Sequence, residues 1–79
     1  HKIKNTMSKE QFAFQLGWSQ VKNRDIQKVK KELMQKLGLS SRMAFLNRVK
    51  GNVEPKVSEA KAIEETFAKY GIKEVWGVV

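Results

Sequence analysis

Residues Lys28–Pro55 read KVKKELMQKLGLSSRMAFLNRVKGNVEP, and the fold turns on how this stretch divides. The first half places Leu33 and Leu37 on a helical step and runs into Gly38; the second half, from Ser40 or Ser41 onward, stops at Gly51. A glycine just past a helix end takes the left-handed backbone that closes the last turn at no steric cost. Two short helices joined by a glycine-containing turn, a helix-turn-helix unit, are therefore expected.

The first of these helices starts at Ile26. Ile26, Val29, Leu33 and Leu37 recur at steps of three and four, with Met34 beside them, while Lys28, Lys31 and Gln35 occupy the other face. Leu39 can fold back over the apolar side past Gly38, and Lys36 in the last turn suits the negative end of the helix dipole. In the second helix Phe45, Leu46 and Val49 form the inward stripe. That sends Ser40, Met43, Ala44, Asn47 and Lys50 outward, with Arg48 at the edge and Arg42 in the first turn. No acid lies between Ser40 and Lys50. A helix entering a groove about 12 Å wide needs this profile, with compact groups near the bases and long basic side chains at the rim.

Upstream, Ser8 followed by Gln11 forms a capping-box pattern. Phe12, Ala13 and Leu16 then fall on one side of a short helix ending at Gly17. The alternation of Phe12, Phe14, Leu16 and Trp18 would equally suit a half-buried strand. Trp18 reads as a core anchor, and either Ser19 or Asn23 as the cap of the helix that follows. Downstream of Pro55, Ala60, Ile63, Phe67 and Tyr70 build a buried face, with Glu59, Glu64 and Glu65 outward. The tail Lys73–Val79 is too apolar for a free end. It is expected to fold back on the core, with a homodimer contact through Val75, Trp76, Val78 and Val79 as the alternative.

With 79 residues the chain suffices for one domain, and the class expected is a small all-α domain of four to five helices. Residues 1–7 are read as a flexible leader, with His1–Thr6 an appended or processed start and Met7 a candidate initiator; residues 8–79 form the single domain. There is no cysteine, no apolar run of membrane-spanning length and no signal-peptide pattern, so a cytoplasmic location is expected. The net charge is +8 and is unevenly spread. Nine basic residues face two acids from Lys22 to Lys50, whereas four lysines face five glutamates from Gly51 to Val79. A localised basic patch is the footprint of a polyanion binder. Catalysis finds no support, because His1 is the single histidine and neither a pocket-forming carboxylate pair nor a phosphate-cradling glycine loop occurs. Neither a metal nor a cofactor has a plausible ligand set.

Leu33-Met34-Gln35-Lys36-Leu37-Gly38-Leu39-Ser40, followed by Gly51-Asn52-Val53-Glu54-Pro55, resembles the helix-turn-helix of the phage lambda repressor-like family over roughly residues 28 to 72. In that resemblance Leu33 and Leu37 match buried positions of the first motif helix, Gly38 the turn glycine and Ser40 the cap of the recognition helix. Ser58–Tyr70 matches the next core helix. Met34 stands where the family has a small residue, so the helices must cross further apart or Met34 must bend aside. Phe45 and Val49 lie about one residue later than the family's inward positions.

The resemblance implies binding of double-stranded DNA in the major groove through Ser40–Lys50, in a transcriptional regulator or a mobile-element accessory protein. Ser41, Arg42, Met43 and Asn47 are then the candidates for base contacts, and Lys36, Ser40, Arg48, Lys50 and Asn52 for phosphate contacts. The other classes open to this sequence are a protein-interaction adaptor on a helical fold and an RNA binder.

Overall fold

The computed structural model describes residues 11–79, so the expected leader and Ser8 lie outside the described residues. The fold is a small all-α domain: α1 (Gln15–Ser19), a 3-10 turn (Asn23–Asp25), α2 (Ile26–Leu37), α3 (Arg42–Lys50) and α4 (Val57–Lys69). Among the described residues the one β feature is an isolated parallel bridge between Phe14 and Gly77.

Helix α2 forms where the apolar period is cleanest. Its Val29, Leu33 and Leu37 are buried, and it packs chiefly on α4, whose Ile63, Thr66 and Phe67 are buried in turn. Thr66 was not part of the expected apolar face. Its hydroxyl is satisfied where it lies, donating to the Ala62 carbonyl at 2.9 Å and accepting from Lys36 Nζ at 3.0 Å. Lys36 also meets Glu32 at 3.1 Å, and Lys69 bonds the same carboxylate from α4. The hydrogen bond from Lys69, with Lys36 beside it, holds the Glu32 carboxyl below its usual range.

The three longer helices end in one kind of corner. Leu39 N–H returns to Met34 O at 2.9 Å, Asn52 N–H to Asn47 O at 3.0 Å, and Ile72 N–H to Phe67 O at 3.1 Å. Each bond closes around a glycine of positive φ: Gly38 (69°), Gly51 (84°) and Gly71 (77°).

The expected helix ending at Gly17 is corrected by the tail. Gln11 and Phe12 are helical, the chain breaks at Ala13-Phe14, and α1 then runs through Gly17 to Ser19. Phe14 leaves the helix because this segment pairs with the C-terminus: Gly77 N–H donates to Ala13 O (2.7 Å), Leu16 N–H to Gly77 O (3.0 Å) and Gly17 N–H to Val75 O (3.0 Å). At Gly17 a Cβ would stand 3.1 Å from Val75 Cα, so a side chain there would crowd the tail's backbone. Neither Ser19 nor Asn23 caps α2. Ser19 Oγ donates back to Leu16 O at 2.8 Å, Asn23 opens the 3-10 turn, and Asp25 precedes α2 without a side-chain capping bond.

Phe14, 1% exposed, is the hub of the core. Its ring lies 6.1 Å from Phe45 of α3, 5.8 Å from Phe67 of α4 and 6.4 Å from Trp76 of the tail, in edge or tilted arrangements that aromatic quadrupoles favour. Trp18 packs edge-on against Phe45 at 5.2 Å, as a core anchor should.

Candidate nucleic-acid interface

Helix α3 begins at a serine cap. Ser41 has extended backbone and its Oγ accepts from Ala44 N–H at 3.1 Å; Ser40 lies one residue outside the cap. Starting the helix after Ser41 moves the inward positions one residue along. Phe45 (1% exposed) and Val49 (4%) then point into the core despite their late register in the sequence. At about 100° per residue the side facing away from them is centred on Met43 and Asn47, with Lys50 close by. Met43 is 62% exposed, Asn47 is half-buried and Lys50 is exposed. Ser40, Ser41, Arg42 and Asn52 are exposed at the two ends of the same helix.

Two residues expected at phosphates are bonded inside the fold. Arg48 Nη1 meets Glu59 Oε1 at 3.1 Å, with the Arg48 side chain 14% exposed, and Lys36 joins Glu32 and Thr66 on the α2–α4 side. Glu59 was expected to point outward; it is half-buried and also accepts the Lys56 backbone N–H at 2.9 Å. That backbone bond and then Arg48 hold its carboxyl below the usual range. Glu59 therefore ties the start of α4 to the last turn of α3. Its negative charge is matched where it stands.

The structure adds neighbours that periodicity along one helix does not reveal. Gln27 and Lys30 of α2 share a crevice of about 210 Å³ with Arg42, floored by Trp18, Phe45 and Leu46. A second, larger groove of about 430 Å³ follows the outer side of α2 past Lys30, Lys31, Met34 and Gln35 to Leu39. Met34 lines this groove and is partly buried against the core. Among the described residues, no ion pair engages Lys30, Lys31, Arg42 or Lys50. The α3 surface thus has unpaired cations at both ends, and no acid within it.

Of the four tail residues considered for a second copy, Val75 is buried in its own core. Trp76 is half-buried, with Nε1 donating to Glu64 Oε2 at 2.6 Å. Val78 and Val79 remain exposed, at 47% and 79%. No group of three or more potential metal-ligating side chains gathers among the described residues, and none of their helices is long and apolar enough to cross a membrane. Comparison with protein families, with curated proteins and with solved structures gives no match.

Proposed function

We propose that this domain binds double-stranded DNA with α3 in the major groove, as a transcriptional regulator or a mobile-element accessory protein. The observation that carries the reading is the outer side of α3: a solvent-facing, acid-free arc of Met43, Asn47 and Lys50, with Arg42 and Lys30 together at its N-terminal end. Sequence would be read by Arg42, whose guanidinium pairs bidentately with guanine, by Asn47, whose amide pairs with adenine, and by Met43 against apolar base edges. Ser41 O–H remains available as a donor beside them. Lys50 and Ser40, joined by Lys30, hold the phosphates and set the register of the helix without specifying bases. Arg48 acts as a strut that fixes the tilt of α3 through Glu59. The resemblance to the lambda repressor-like turn supports the same reading.

Titration of a random duplex at two salt concentrations tests it. Affinity should fall as salt rises, and Lys50→Ala should lower the log–log salt slope by about 0.9, one phosphate contact's share. Arg42→Ala and Asn47→Ala should each relax preference at one position by about 1–3 kcal/mol. Equal losses for all three variants on selected and random duplexes would leave no base reading to explain.

A second reading, a protein-interaction adaptor, rests on a groove of about 280 Å³ lined by Phe12, Pro55, Val57, Ala60 and Trp76, beside which Val57 is 88% exposed. An adaptor would show no affinity for random duplex. For RNA, single-strand readers stack bases on exposed aromatics, and here Phe14, Phe45 and Phe67 are inside the core.

A further inference from the structure

The three glycine corners differ at one place. In this kind of corner the residue after the glycine sits over the residue five positions earlier, and an apolar contact between the two usually accompanies the backbone bond. The corner of α2 follows that rule with Leu39 and Met34, both partly buried against the core, and the corner of α4 follows it with Ile72 and Phe67, both buried. The corner of α3 does not. There the pair is Asn52 and Asn47, and Asn52 Nδ2 donates to Asn47 Oδ1 at 3.2 Å in an exposed setting.

Two asparagines in place of an apolar pair gain little for folding. An exposed side-chain hydrogen bond competes with water, and asparagine is a poor residue for a helix interior. What the bond does supply is orientation. An unrestrained asparagine amide turns over readily, presenting oxygen or nitrogen to a partner. With Asn52 donating to it, the Asn47 amide is held with one Oδ1 lone pair occupied, and its second lone pair and both Nδ2 hydrogens remain available.

We infer that Asn52 is a positioning residue that sets the Asn47 amide to read one adenine, an inference that rests on the proposed DNA binding. Adenine offers N7 as acceptor and N6–H as donor on its major-groove edge, matching Asn47 Nδ2–H and the free lone pair of Oδ1. Guanine offers two acceptors, N7 and O6, and its O6 would face Asn47 Oδ1. The fixed amide therefore selects adenine over guanine at one position, and Asn52 does this without touching the base. Cross-linking the two side chains through a hydrogen bond also removes the rotational freedom that Asn47 would otherwise lose on binding.

The experiment is selection of bound sequences from a random duplex library by the full chain and by Asn52→Leu, Asn52→Gln and Asn47→Ala, with thermal unfolding of each. Asn52→Leu reproduces the apolar residue found at the other two corners, so its melting should match or exceed that of the parent. It should nevertheless lose the preference for adenine at one position by about tenfold, while affinity for random duplex changes by less than about threefold. Asn47→Ala should lose preference at the same position, and adding Asn52→Leu to it should change nothing further. Asn52→Gln, which keeps the donor, should restore part of the preference. An Asn52→Leu protein that still selects adenine as the parent does would overturn the positioning role while leaving DNA binding intact. A parent that binds no duplex at all would overturn both.

Discussion

Helix α3 and the tail Ile72–Val79 both reach the Phe14 ring, one through Phe45 and the other through Trp76, and they are held by opposite means. The tail is irregular and fastened by its backbone: main-chain bonds join Val75 and Gly77 to Ala13, Leu16 and Gly17, and Gln20 Nε2 reaches the Glu74 carbonyl at 2.8 Å. Helix α3 satisfies its own backbone and is fastened by two buried side chains, Phe45 and Val49, with the Arg48–Glu59 strut at its end. A segment whose main chain is bonded to its neighbours has its surface fixed by them. A regular helix needs only one side for attachment, and the rest of its circumference is free to meet something else. In this domain the irregular segment is fixed by its neighbours, and the regular helix is the one that leaves a side open.

The sharpest way to break that contrast is to remove the tail. Deleting Val75–Val79 takes away a buried valine, the half-buried Trp76 and the backbone bonds to Leu16 and Gly17. The loss is on the order of 5 kcal/mol, most of the stability of a domain this size. The expected result by circular dichroism is a broad, non-cooperative melt, whereas deleting Val78–Val79 alone should shift stability by less than about 1 kcal/mol. A cooperative melt for the longer deletion would mean the tail is decoration.

Gly17→Ala probes the same seam more gently. The new methyl would stand 3.1 Å from Val75 Cα, a backbone atom that cannot turn aside as a side chain would. Overpacking of this kind costs about 1–3 kcal/mol, offset by up to about 1 kcal/mol from alanine's better helix propensity, and each kcal/mol of net loss lowers the melting temperature of so small a domain by about 4–8 °C. Urea unfolding should show a lower midpoint at unchanged slope.

On the α3 side the matching change is Glu59→Gln. Glutamine keeps an oxygen for the Lys56 N–H but leaves Arg48 without its counter-charge. A loss of about 0.5–1 kcal/mol is expected at neutral pH. The Glu59 carboxyl is held below its ordinary value of 4.5, so its contribution is complete above that pH and fades as pH falls through the lower, folded value. The gap between parent and variant should therefore close on acidification, with Glu32 still contributing acid sensitivity to both. A gap that stays constant from neutral pH into acid would show that the carboxylate's charge is not what holds α3.

The parts of this architecture that were legible in the sequence are those set by neighbours within a few residues. The three- and four-residue steps of Ile26, Val29, Leu33 and Leu37 delimit α2, and Gly38 with Leu39 announces its corner. Ser40-Ser41 signals a cap, but choosing between them depends on which start lets Phe45 and Val49 face the core together. That is a tertiary condition. The break at Phe14 was legible only as an unresolved conflict between helical and alternating patterns, because the strand-like partner, Gly77, lies at the far end of the chain. Arg48–Glu59 and Lys36–Thr66 depend on how α2 and α3 lie against α4, and the company of Lys30 with Arg42 depends on where α2 passes α3. Charge counting places these residues in the basic half of the molecule without separating the lysines free to bind from those already bonded.

The smallest expected effect on stability comes from the outer side of α3. Met43 is 62% exposed, and no hydrogen bond or ion pair within the fold involves the Lys50 side chain among the described residues. Met43→Ala and Lys50→Ala should thus each stay within about 0.5 kcal/mol of the parent in chemical denaturation. The contrast is sharpened by what the proposed DNA binding requires of the same two variants. Lys50→Ala should weaken selected and random sequences alike, and Met43→Ala should act only on the selected ones. A side chain that leaves folding untouched and changes binding is present for something outside the fold. If Met43→Ala instead lowered stability by a kilocalorie per mole or more, α3 would be packed on both sides, and the division of labour between helix and tail would fail at the residue where it is most exposed.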